Sequence, residues 1–444
     1  MALLTKAPRG TQDTLPSESY KLRQLENILS ETASTFGFRE IRTPVFEHTE
    51  LFCRGMGDTT DVVQKEMYTF NDNGNRSISL RPEGTAGTVR AFLEHGLFNE
   101  PLPQKYFYHT SCYRYEKPQA GRLREFHQFG VENLGSGSPA ADAEIIALAL
   151  HIFDFFELDG IRLEINSIGC PECRKNYHAA LISYFNEKKA DLCETCLSRL
   201  ERNPMRILDC KSPVCSEIAK SAPVVLDFLC DECETHFTAV KKYLDAMDID
   251  YRVNPRIVRG LDYYTKTVFE FVSDSIGAQG TVCGGGRYDG LIKELGGNAL
   301  PACGFGMGME RLCLLLEAQR KSLPEEPRIN LYIAPASPEY SYEAMRLVND
   351  LRYEGISALT DLGDRSLKAQ MKYANKKNVQ FTAVLGEDEI NNRTLNVKNM
   401  DNGEVTPVSI DGFTEGFMHL SISAALGADM DLMKNLTLID GGKQ

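Results

Sequence analysis

The sequence predicts an α+β protein in which an antiparallel sheet flanked by helices is followed by a smaller α/β domain. Three observations support this prediction. Residues 106–135 have the pattern of two strands joined by a basic loop, a cysteine-rich stretch begins at residue 170, and strands alternate with helices after residue 328. A chain of 444 residues is also long enough for two or three domains with separate cores.

Composition narrows the function classes. The hydrophobic share of 42% is ordinary for a globular protein. The net charge of −13 argues against nonspecific polyanion binding, so any RNA contact requires local basic patches. No apolar run approaches the ~20 residues of a membrane span, and the N-terminal sequence MALLTKAPRG lacks the apolar core of a signal peptide. We therefore expect a cytoplasmic protein without a membrane partner.

The first elements are predicted as a helix and a strand. Residues 17–36 form an amphipathic helix that Gly37 ends, and residues 38–46 form a strand interrupted by Pro44. The apolar positions of the helix recur at helical spacing: Leu22, Leu25, Ile28 and Leu29.

The hairpin that follows carries the first candidate binding residues. Its first strand is predicted at 106–115, and Arg114 lies at its end. The return strand places Phe126, Gln128, Gly130 and Glu132 on one face, because strand side chains alternate with period two. Since arginine presents a planar fork that matches phosphate oxygens, such a face suits a phosphate-bearing ligand. The alternative is a surface hairpin with solvated charges.

The rest of the larger domain follows from periodicity and from glycine and proline positions. We predict a helix at 139–156, a strand at 161–167, a mostly helical insertion at 170–253 and a strand at 268–272. The segment TVCGGGRYDGLIKELG reads as strand, glycine turn and helix. A glycine-rich strand then leads into a helix at 307–320.

A second domain is predicted after the proline-containing linker at 322–328. Helices at 338–353 and 366–376 alternate with strands, which is typical of a small α/β domain with mixed strands. The predicted boundaries are 1–325 for the larger domain, 328–411 for the smaller one and 412–444 for a C-terminal tail of undefined role.

Eight of the 13 cysteines are candidate metal ligands. Three pairs have the CxxC spacing of zinc knuckles, and without a secretory signal structural disulfides are not expected. The pattern predicts structural zinc, because a closed four-thiolate shell leaves no open position for chemistry; reduced surface thiols are the alternative. The candidate ligands are Cys170, Cys173, Cys193, Cys196, Cys210, Cys215, Cys230 and Cys233.

Five further segments carry a resemblance to a known family. They are RTPVFE (42–47), LRPEGT (80–85), VRGLDYYTKTVFEF (258–271), GGGRYDGL (284–291) and CGFGMGMERL (303–312). Together with the hairpin, this ordered set resembles class II aminoacyl-tRNA synthetases, and RGLDYY and GGGRYDG narrow the resemblance to histidyl-tRNA synthetases. It implies a class II catalytic domain, an anticodon-binding C-terminal domain, and a homodimer whose interface includes the helix and strand around Pro44.

The resemblance also implies an activity. A histidine–tRNA ligase joins histidine to the α-phosphate of ATP, expels pyrophosphate, and transfers histidine to the 3′ end of its tRNA. In-line displacement at phosphorus requires alignment and stabilisation of negative charge. Arg114 and Arg259 are therefore the expected catalytic residues, and Mg²⁺ is expected to arrive with ATP.

Site residues are assigned on the same basis. For ATP, Arg122 and Arg311 would hold the outer phosphates and stack on adenine opposite Phe126, with Glu116 at the adenine amino group. For histidine, a carboxylate and phenol hydroxyls suit a ring that donates and accepts. The ATP set is Arg114, Glu116, Arg122, Phe126 and Arg311. The histidine set is Glu83, Gly84, Thr85, Arg114, Gln128, Glu132, Arg259, Tyr263 and Tyr264.

Two other functions use part of this pattern. A catalytically inactive, histidyl-synthetase-like regulatory subunit of histidine biosynthesis shares the fold but generally lacks the RGLDYY context, the full arginine set and the C-terminal domain, all of which are present here. A zinc-dependent RNA-binding module would explain the cysteines and leave the arginine-rich hairpin unused.

Overall fold

In a computed structural model, residues 5–57, 60–208, 210, 212–257 and 260–440 are described. The chain divides into two compact units, Met1–Pro324 and Glu325–Gln444. Within the described residues, no helix combines the length and the apolar character needed to cross a membrane.

The first unit is built on a large sheet. Its described strands are β1 (Arg39–Glu40), β2 (Phe46–His48), β3 (Thr69–Asn71), β4 (Ser77–Leu80), β5 (Gln104–Tyr113), β6 (Glu125–Leu134), β7 (Ile161–Ser167), β8 (Arg252–Val253), β9 (Thr265–Ser273), β10 (Thr281–Arg287) and β11 (Ala302–Gly308). Eight of them form one sheet in the order β1-β5-β6-β11-β10-β9-β7-β8. Its central pairs are all antiparallel, and the edge pairs β1–β5 and β7–β8 are parallel.

Helices cover this sheet. The described helices of the first unit are α1 (Pro16–Thr35), α2 (Thr49–Met56), α3 (Thr85–Glu94), α4 (Pro139–Phe155), α5 (Pro171–Glu187), α6 (Glu194–Arg202), α7 (Pro213–Lys220), α8 (Asp231–Ala246), α9 (Leu291–Glu294) and α10 (Met309–Ala318). α4 is apolar on most of its surface and is buried between the sheet and α8, because an all-round apolar helix must be covered. The predicted α+β class, with an antiparallel sheet and a helical cysteine-rich insertion, is confirmed.

The predicted strand at 38–46 is wrong. Within residues 38–48, only β1 and β2 are extended strands, and the side chain of a distant residue holds the chain between them. The guanidinium of Arg81 donates to the carbonyls of Thr43 (2.8 Å) and Pro44 (3.1 Å), and its amide donates to the carbonyl of Val45 (2.9 Å). Proline has no amide hydrogen to donate to a β-ladder. The carbonyls of this segment therefore bond to the buried Arg81 and not to a neighbouring strand.

Several predicted boundaries also move, among them the following two. The first hairpin strand ends at Tyr113, so Arg114 lies just beyond it. The helix predicted from residue 307 begins at Met309, because β11 continues through Gly308.

The second unit is a mixed sheet with helices. Its described elements are β12 (Leu331–Pro335), α11 (Ser341–Tyr353), β13 (Ala358–Thr360), α12 (Leu367–Lys376), β14 (Phe381–Leu385), α13 (Glu387–Asn391), β15 (Thr394–Asn399), β16 (Val405–Ser409) and α14 (Phe413–Asp440). The order is β13-β12-β14-β15-β16, parallel in the first three strands and antiparallel in the rest. Phe413 and Phe417 of α14 are buried in this unit's core, where Phe417 meets Phe381 edge-on.

A buried ion pair joins three parts of the first unit. The guanidinium of Arg287, at the end of β10, donates to both carboxylate oxygens of Asp142 in α4, and neither side chain is more than 1% exposed. His236 of α8 lies 3.4 Å from the same carboxylate. Burial alone would raise the pKa of Asp142, but the nearby His236 and the charge of Arg287 lower it.

We predict that Asp142→Asn lowers the free energy of unfolding by about 3–5 kcal/mol, because it leaves a buried guanidinium without its main counter-charge. Urea denaturation followed by circular dichroism measures the effect. The matched control is Asp274→Asn, which removes the partner of Arg162 in an exposed ion pair and should leave the transition close to wild type. Equal transitions for the two variants would contradict a structural role for the buried pair.

Candidate active site

A cleft of about 570 Å³ lies on the sheet of the first unit. It is bounded by the β5–β6 hairpin, the start of α3, the chain before β9, and strands β9 to β11. The structure brings ten of the predicted site residues to its walls: Glu83, Thr85, Arg114, Glu116, Arg122, Phe126, Gln128, Tyr263, Tyr264 and Arg311. Gly84 and Glu132 lie behind this surface, and Arg259 lies outside the described residues.

Glu132 is a carboxyl group buried behind the cleft wall. It is 1% exposed and accepts hydrogen bonds from the hydroxyls of Tyr108 (3.0 Å) and Tyr288. Burial raises the pKa of Glu132 to about 8, although hydrogen bonds from Tyr288 and Tyr108 favour its charged form. With this pKa the group can change protonation state near neutral pH.

Glycines on the neighbouring strand make room for these polar groups. Gly304 and Gly306 lie on β11, which pairs with β6. A Cβ atom on Gly304 would lie 2.1 Å from Glu132 Oε2, and one on Gly306 would lie 2.3 Å from Gln128 Nε2. No other residue type fits without displacing Glu132 or Gln128, so the glycine-rich pattern of CGFGMG has a steric cause.

Glu83 also caps a helix. Its carboxylate accepts hydrogen bonds from the backbone amides of Thr85 (2.6 Å) and Ala86 (2.9 Å) at the start of α3. Burial raises the pKa of Glu83, and these amide bonds oppose the shift. The adjacent Gly84 amide donates to Gln128 Oε1 at 3.2 Å, so α3 and β6 are joined at this wall of the cleft.

The tyrosines of the RGLDYY segment form one aromatic group. Tyr263 and Tyr264 are both buried, with ring centroids 4.7 Å apart, and Tyr263 meets Tyr288 edge-on at 5.5 Å. The guanidinium of Arg174, in α5 of the insertion, donates to the carbonyl of Tyr264 at 3.0 Å. The insertion therefore contacts the chain that carries these tyrosines.

The arginines occupy the hairpin side of the cleft. Arg114 donates from Nε to the carbonyl of Pro82 at 2.9 Å, and its guanidinium lies 5.2 Å from the ring centroid of Phe126. Arg122 forms an ion pair with Glu116. Arg311 donates to the carbonyl of Thr281 at 2.6 Å. The cleft thus joins an arginine-rich part to a part with carboxyl groups and tyrosines.

Tyr108 and Tyr288 were not predicted as site residues. Both lie in segments that carry the resemblance, and the register offered one signal: Tyr108 lies opposite Gly130 in the β5–β6 pair. A Cβ atom on Gly130 would lie 2.3 Å from the Tyr108 ring, so the large side chain covers the small one. Tyr288 had no comparable signal, because its contact with Glu132 depends on the packing of β10 beside β11.

The eight candidate cysteines are not spread over the surface. They form two groups of four, in each of which the sulfur atoms all lie within 4.8 Å of one another. One group is Cys170, Cys173, Cys230 and Cys233, and the other is Cys193, Cys196, Cys210 and Cys215. Both lie in the insertion, and none of the eight lines the cleft.

A sheet of this order, antiparallel in its central strands and with an arginine-bearing hairpin over its cleft, defines the catalytic domain of a class II aminoacyl-tRNA synthetase. Residues 10–312 match the family model described as histidyl-tRNA synthetase, and residues 330–418 match the anticodon-binding domain. The chain belongs to the histidyl-tRNA synthetase family, as the sequence resemblance predicted.

Similar proteins agree with this assignment. The chain is 55% identical to the histidine–tRNA ligase of Caldanaerobacter subterraneus over 92% of its own length and 98% of the relative, and 53% identical to that of Clostridium novyi over the same shares. The apo histidyl-tRNA synthetase of S. aureus superposes with a TM-score of 0.80 at 40% identity, covering 93% of this chain and all of that one.

The regulatory alternative is not supported. A structure from Bacillus halodurans, titled ATP phosphoribosyltransferase regulatory subunit/histidyl-tRNA synthetase, has a TM-score of 0.62 at 23% identity, covering 87% of this chain and 99% of that one, so this likeness shows only the fold. The relatives from Caldanaerobacter subterraneus, Clostridium novyi and Clostridioides difficile, each above 50% identity, are histidine–tRNA ligases.

We predict a pH-dependent loss of stability that depends on Glu132. A carboxyl group whose pKa is raised in the folded state binds its proton more tightly there than in the unfolded chain. The stability that this group contributes is therefore fully present below the unfolded pKa of 4.5 and is lost by the time the pH has risen through the folded pKa of about 8. The melting temperature of the wild type, relative to Glu132→Gln, should fall between about pH 5 and pH 8 and change little above that. A difference that stays constant with pH would contradict the raised pKa.

Proposed function

We propose that this protein is an ATP-dependent histidine–tRNA ligase. It activates L-histidine to histidyl-adenylate with release of pyrophosphate, and then transfers histidine to the 3′ end of its cognate tRNA. The observation that supports this function best is the single cleft in which the arginines of the hairpin adjoin the buried Glu132 with its tyrosines.

The histidine pocket is proposed at the carboxyl-rich part of the cleft. Glu132 and the hydroxyls of Tyr263 and Tyr264 recognise the imidazole, which donates from one nitrogen and accepts at the other when neutral. Glu83, Gln128 and Thr85 receive the α-ammonium, with Gly84 giving the backbone close approach. Each oxygen of Glu83 keeps a second lone pair after capping α3, so the cap is compatible with this role.

The ATP site is proposed at the arginine-rich part. One carboxylate oxygen of histidine attacks the α-phosphorus while the bond to the pyrophosphate oxygen breaks, and negative charge moves onto pyrophosphate. Arg114 and Arg259 stabilise the charge at the α-phosphate and align the histidine carboxylate. Phe126 and Arg311 enclose adenine, Arg122 meets the outer phosphates, and Glu116 faces the adenine amino group.

Mg²⁺ supplies further charge neutralisation when it arrives with ATP, and the carboxylate of Glu270 lies on the same cleft wall. In the second step the terminal ribose hydroxyl of the tRNA attacks the histidyl carbonyl and AMP leaves. The second unit is proposed to bind the anticodon of that tRNA. Zinc at the eight cysteines is proposed as structural, and a cytoplasmic location fits thirteen cysteines of which none is joined in a disulfide.

A homodimer is also proposed. Val45 and Phe46 are 41% and 57% exposed in the single chain, so the segment beside Pro44 presents apolar surface. Arg81 contacts this segment through three backbone groups, and its own carbonyl accepts the amide of Tyr113, next to Arg114. A partner that covers this surface would therefore stabilise the base of the active-site hairpin.

The assignment predicts ATP–pyrophosphate exchange with histidine alone when all twenty amino acids are supplied one at a time. A pocket built from buried polar groups rejects apolar analogues, since those groups would be left without partners. Exchange driven by another amino acid, with none from histidine, would refute the function.

Arg114→Ala should reduce the rate of adenylate formation on the order of 10²–10³-fold, because charge that develops at the α-phosphate loses a positioned donor. Arg259→Ala should act in the same way. Single-turnover kinetics measures the rate and calorimetry the binding of histidine, which should stay measurable. Arg162→Ala, in an exposed ion pair, is the control. A normal rate would assign the substituted arginine a structural role.

Val45→Asp should dissociate the dimer and lower exchange activity, because the new carboxylate would be desolvated without a partner at the interface. Sedimentation velocity measures the assembly. Val405→Asp introduces the same charge at a 53% exposed position of β16 and should change neither property. A wild type that sediments as a monomer at micromolar concentration would refute the dimer, and a fully active monomeric variant would refute its coupling to the site.

A further inference from the structure

One cysteine group combines the first and last of the four cysteine pairs along the chain, and the other combines the two pairs between them. The first knuckle, Cys170 and Cys173, joins the last one, Cys230 and Cys233, while the second knuckle joins Cys210 and Cys215. The outer group (Cys170, Cys173, Cys230 and Cys233) therefore joins the start of the insertion to the start of its last helix, and the inner group (Cys193, Cys196, Cys210 and Cys215) closes the segment 193–215.

The spacing of the sulfur atoms fits one metal ion in each group. Four thiolates at 2.3 Å from a tetrahedral Zn²⁺ lie about 3.8 Å from one another. The Sγ atoms of Cys170 and Cys173 are 3.6 Å apart, and those of Cys193 and Cys210 are 3.9 Å apart. These distances are far longer than the roughly 2.05 Å of a disulfide bond.

Backbone donors are also directed at the sulfurs. The amide of Cys230 donates to Cys173 Sγ at 3.1 Å, and the amide of Cys193 donates to Cys215 Sγ at 3.2 Å. Each donor and acceptor belong to different knuckles or segments of one group. Such bonds stabilise thiolates and orient metal ligands, so both groups have the outer hydrogen bonds of a thiolate site as well as its ligands.

The inner group closes a segment that contacts the chain of the histidine pocket. Between Cys196 and Cys210, Arg206 donates to the carbonyl of Gly260 (2.9 Å) and to the carboxylate of Asp262 (3.0 Å). Asn203 donates to the same carboxylate at 3.3 Å. Asp262 immediately precedes Tyr263, so these contacts fix the start of the tyrosine pair.

The outer group is linked to the same residues, 260–264, through a second segment of the insertion. Cys170 and Cys173 lie at the start of α5, and Arg174 is the next residue of that helix. It donates to the carbonyl of Tyr264 at 3.0 Å. Residues 260–264 are thus held by two segments of the insertion, each of which begins or ends at a cysteine group.

We propose that each group binds one Zn²⁺, two per chain, and that the two ions position residues 260–264 for histidine. The cysteines are positioning residues rather than catalytic ones: each ion has four thiolate ligands and no open coordination position, and neither group lines the cleft. The positioning role rests on the proposed histidine site, whereas the two metal sites do not depend on it.

Metal analysis of the full-length protein tests the ligand sets. The wild type should contain two zinc ions per chain, and Cys313→Ala, outside both groups, should keep both. Cys193→Ser with Cys210→Ser should lose one ion, because both residues belong to the inner group. Cys193→Ser with Cys230→Ser should lose both. If the first and second cysteine pairs shared one ion and the third and fourth pairs the other, the first pair of substitutions would remove both ions, and that result would overturn the proposed partition.

A second measurement does not depend on variants that fold. Zinc-free wild type titrated with Co²⁺ should take up two equivalents and develop the visible absorption of tetrahedral cobalt–thiolate centres. A wild type that holds no metal and gives no such absorption would overturn the sites, as would iron in place of zinc. Histidine-dependent exchange by that same metal-free protein would leave the proposed enzyme function intact.

Kinetics tests the positioning role. Loss of the inner ion, or Arg206→Ala with both ions retained, should raise the KM for histidine about tenfold and leave the KM for ATP nearly unchanged. Adding zinc back to metal-depleted wild type should restore the histidine value. Equal increases in both constants, or no increase, would show that the ions stabilise the insertion without positioning the pocket.

Discussion

The geometry of the cleft depends on the buried carboxyl group of Glu132. A carboxylate removed from water is unstable without hydrogen-bond donors, and here two tyrosine hydroxyls supply them, one from β5 and one from the residue that follows β10. Space for the group exists only because Gly304 stands opposite it. A slip of one residue between β6 and β11 would turn Glu132 to the other face of the sheet, so one polar group fixes the register of the central strands.

The insertion is attached to this sheet by a second buried charge. Asp142 of α4 pairs with Arg287 at the end of β10 and lies next to His236 of α8, the last helix of the insertion. Replacing such a pair by apolar residues can be energetically neutral, so its value here is orientation: β10, α4 and α8 must meet for the charges to be satisfied. Two arginines of the insertion, Arg174 and Arg206, also donate hydrogen bonds to carbonyls of residues 260–264. The sheet of the first unit and the insertion therefore both hold Tyr263 and Tyr264 in place.

Much of this architecture was predictable where local rules act alone. The strand at 161–167 and the helix that starts at Pro139 agree with the sequence, because alternation and a Ser138 cap are local signals. The strand at 38–46 failed because a distant side chain, Arg81, competes for its backbone. Most predicted cleft residues came from motif resemblance, but the partners of Glu132 and the division of the cysteines did not, since both depend on which segments meet in three dimensions. The roles of the individual cleft residues remain predictions.

The central claim is that one cleft places an imidazole beside Glu132 and an adenine beside Phe126. A crystal structure with histidinol, the alcohol that lacks the reacting carboxylate, and ATP would test it most directly. The imidazole should lie within about 3.2 Å of a Glu132 oxygen or of the hydroxyl of Tyr263 or Tyr264, with the adenine between Phe126 and Arg311. An imidazole bound elsewhere, or an adenine in the carboxyl-rich part of the cleft, would contradict the account.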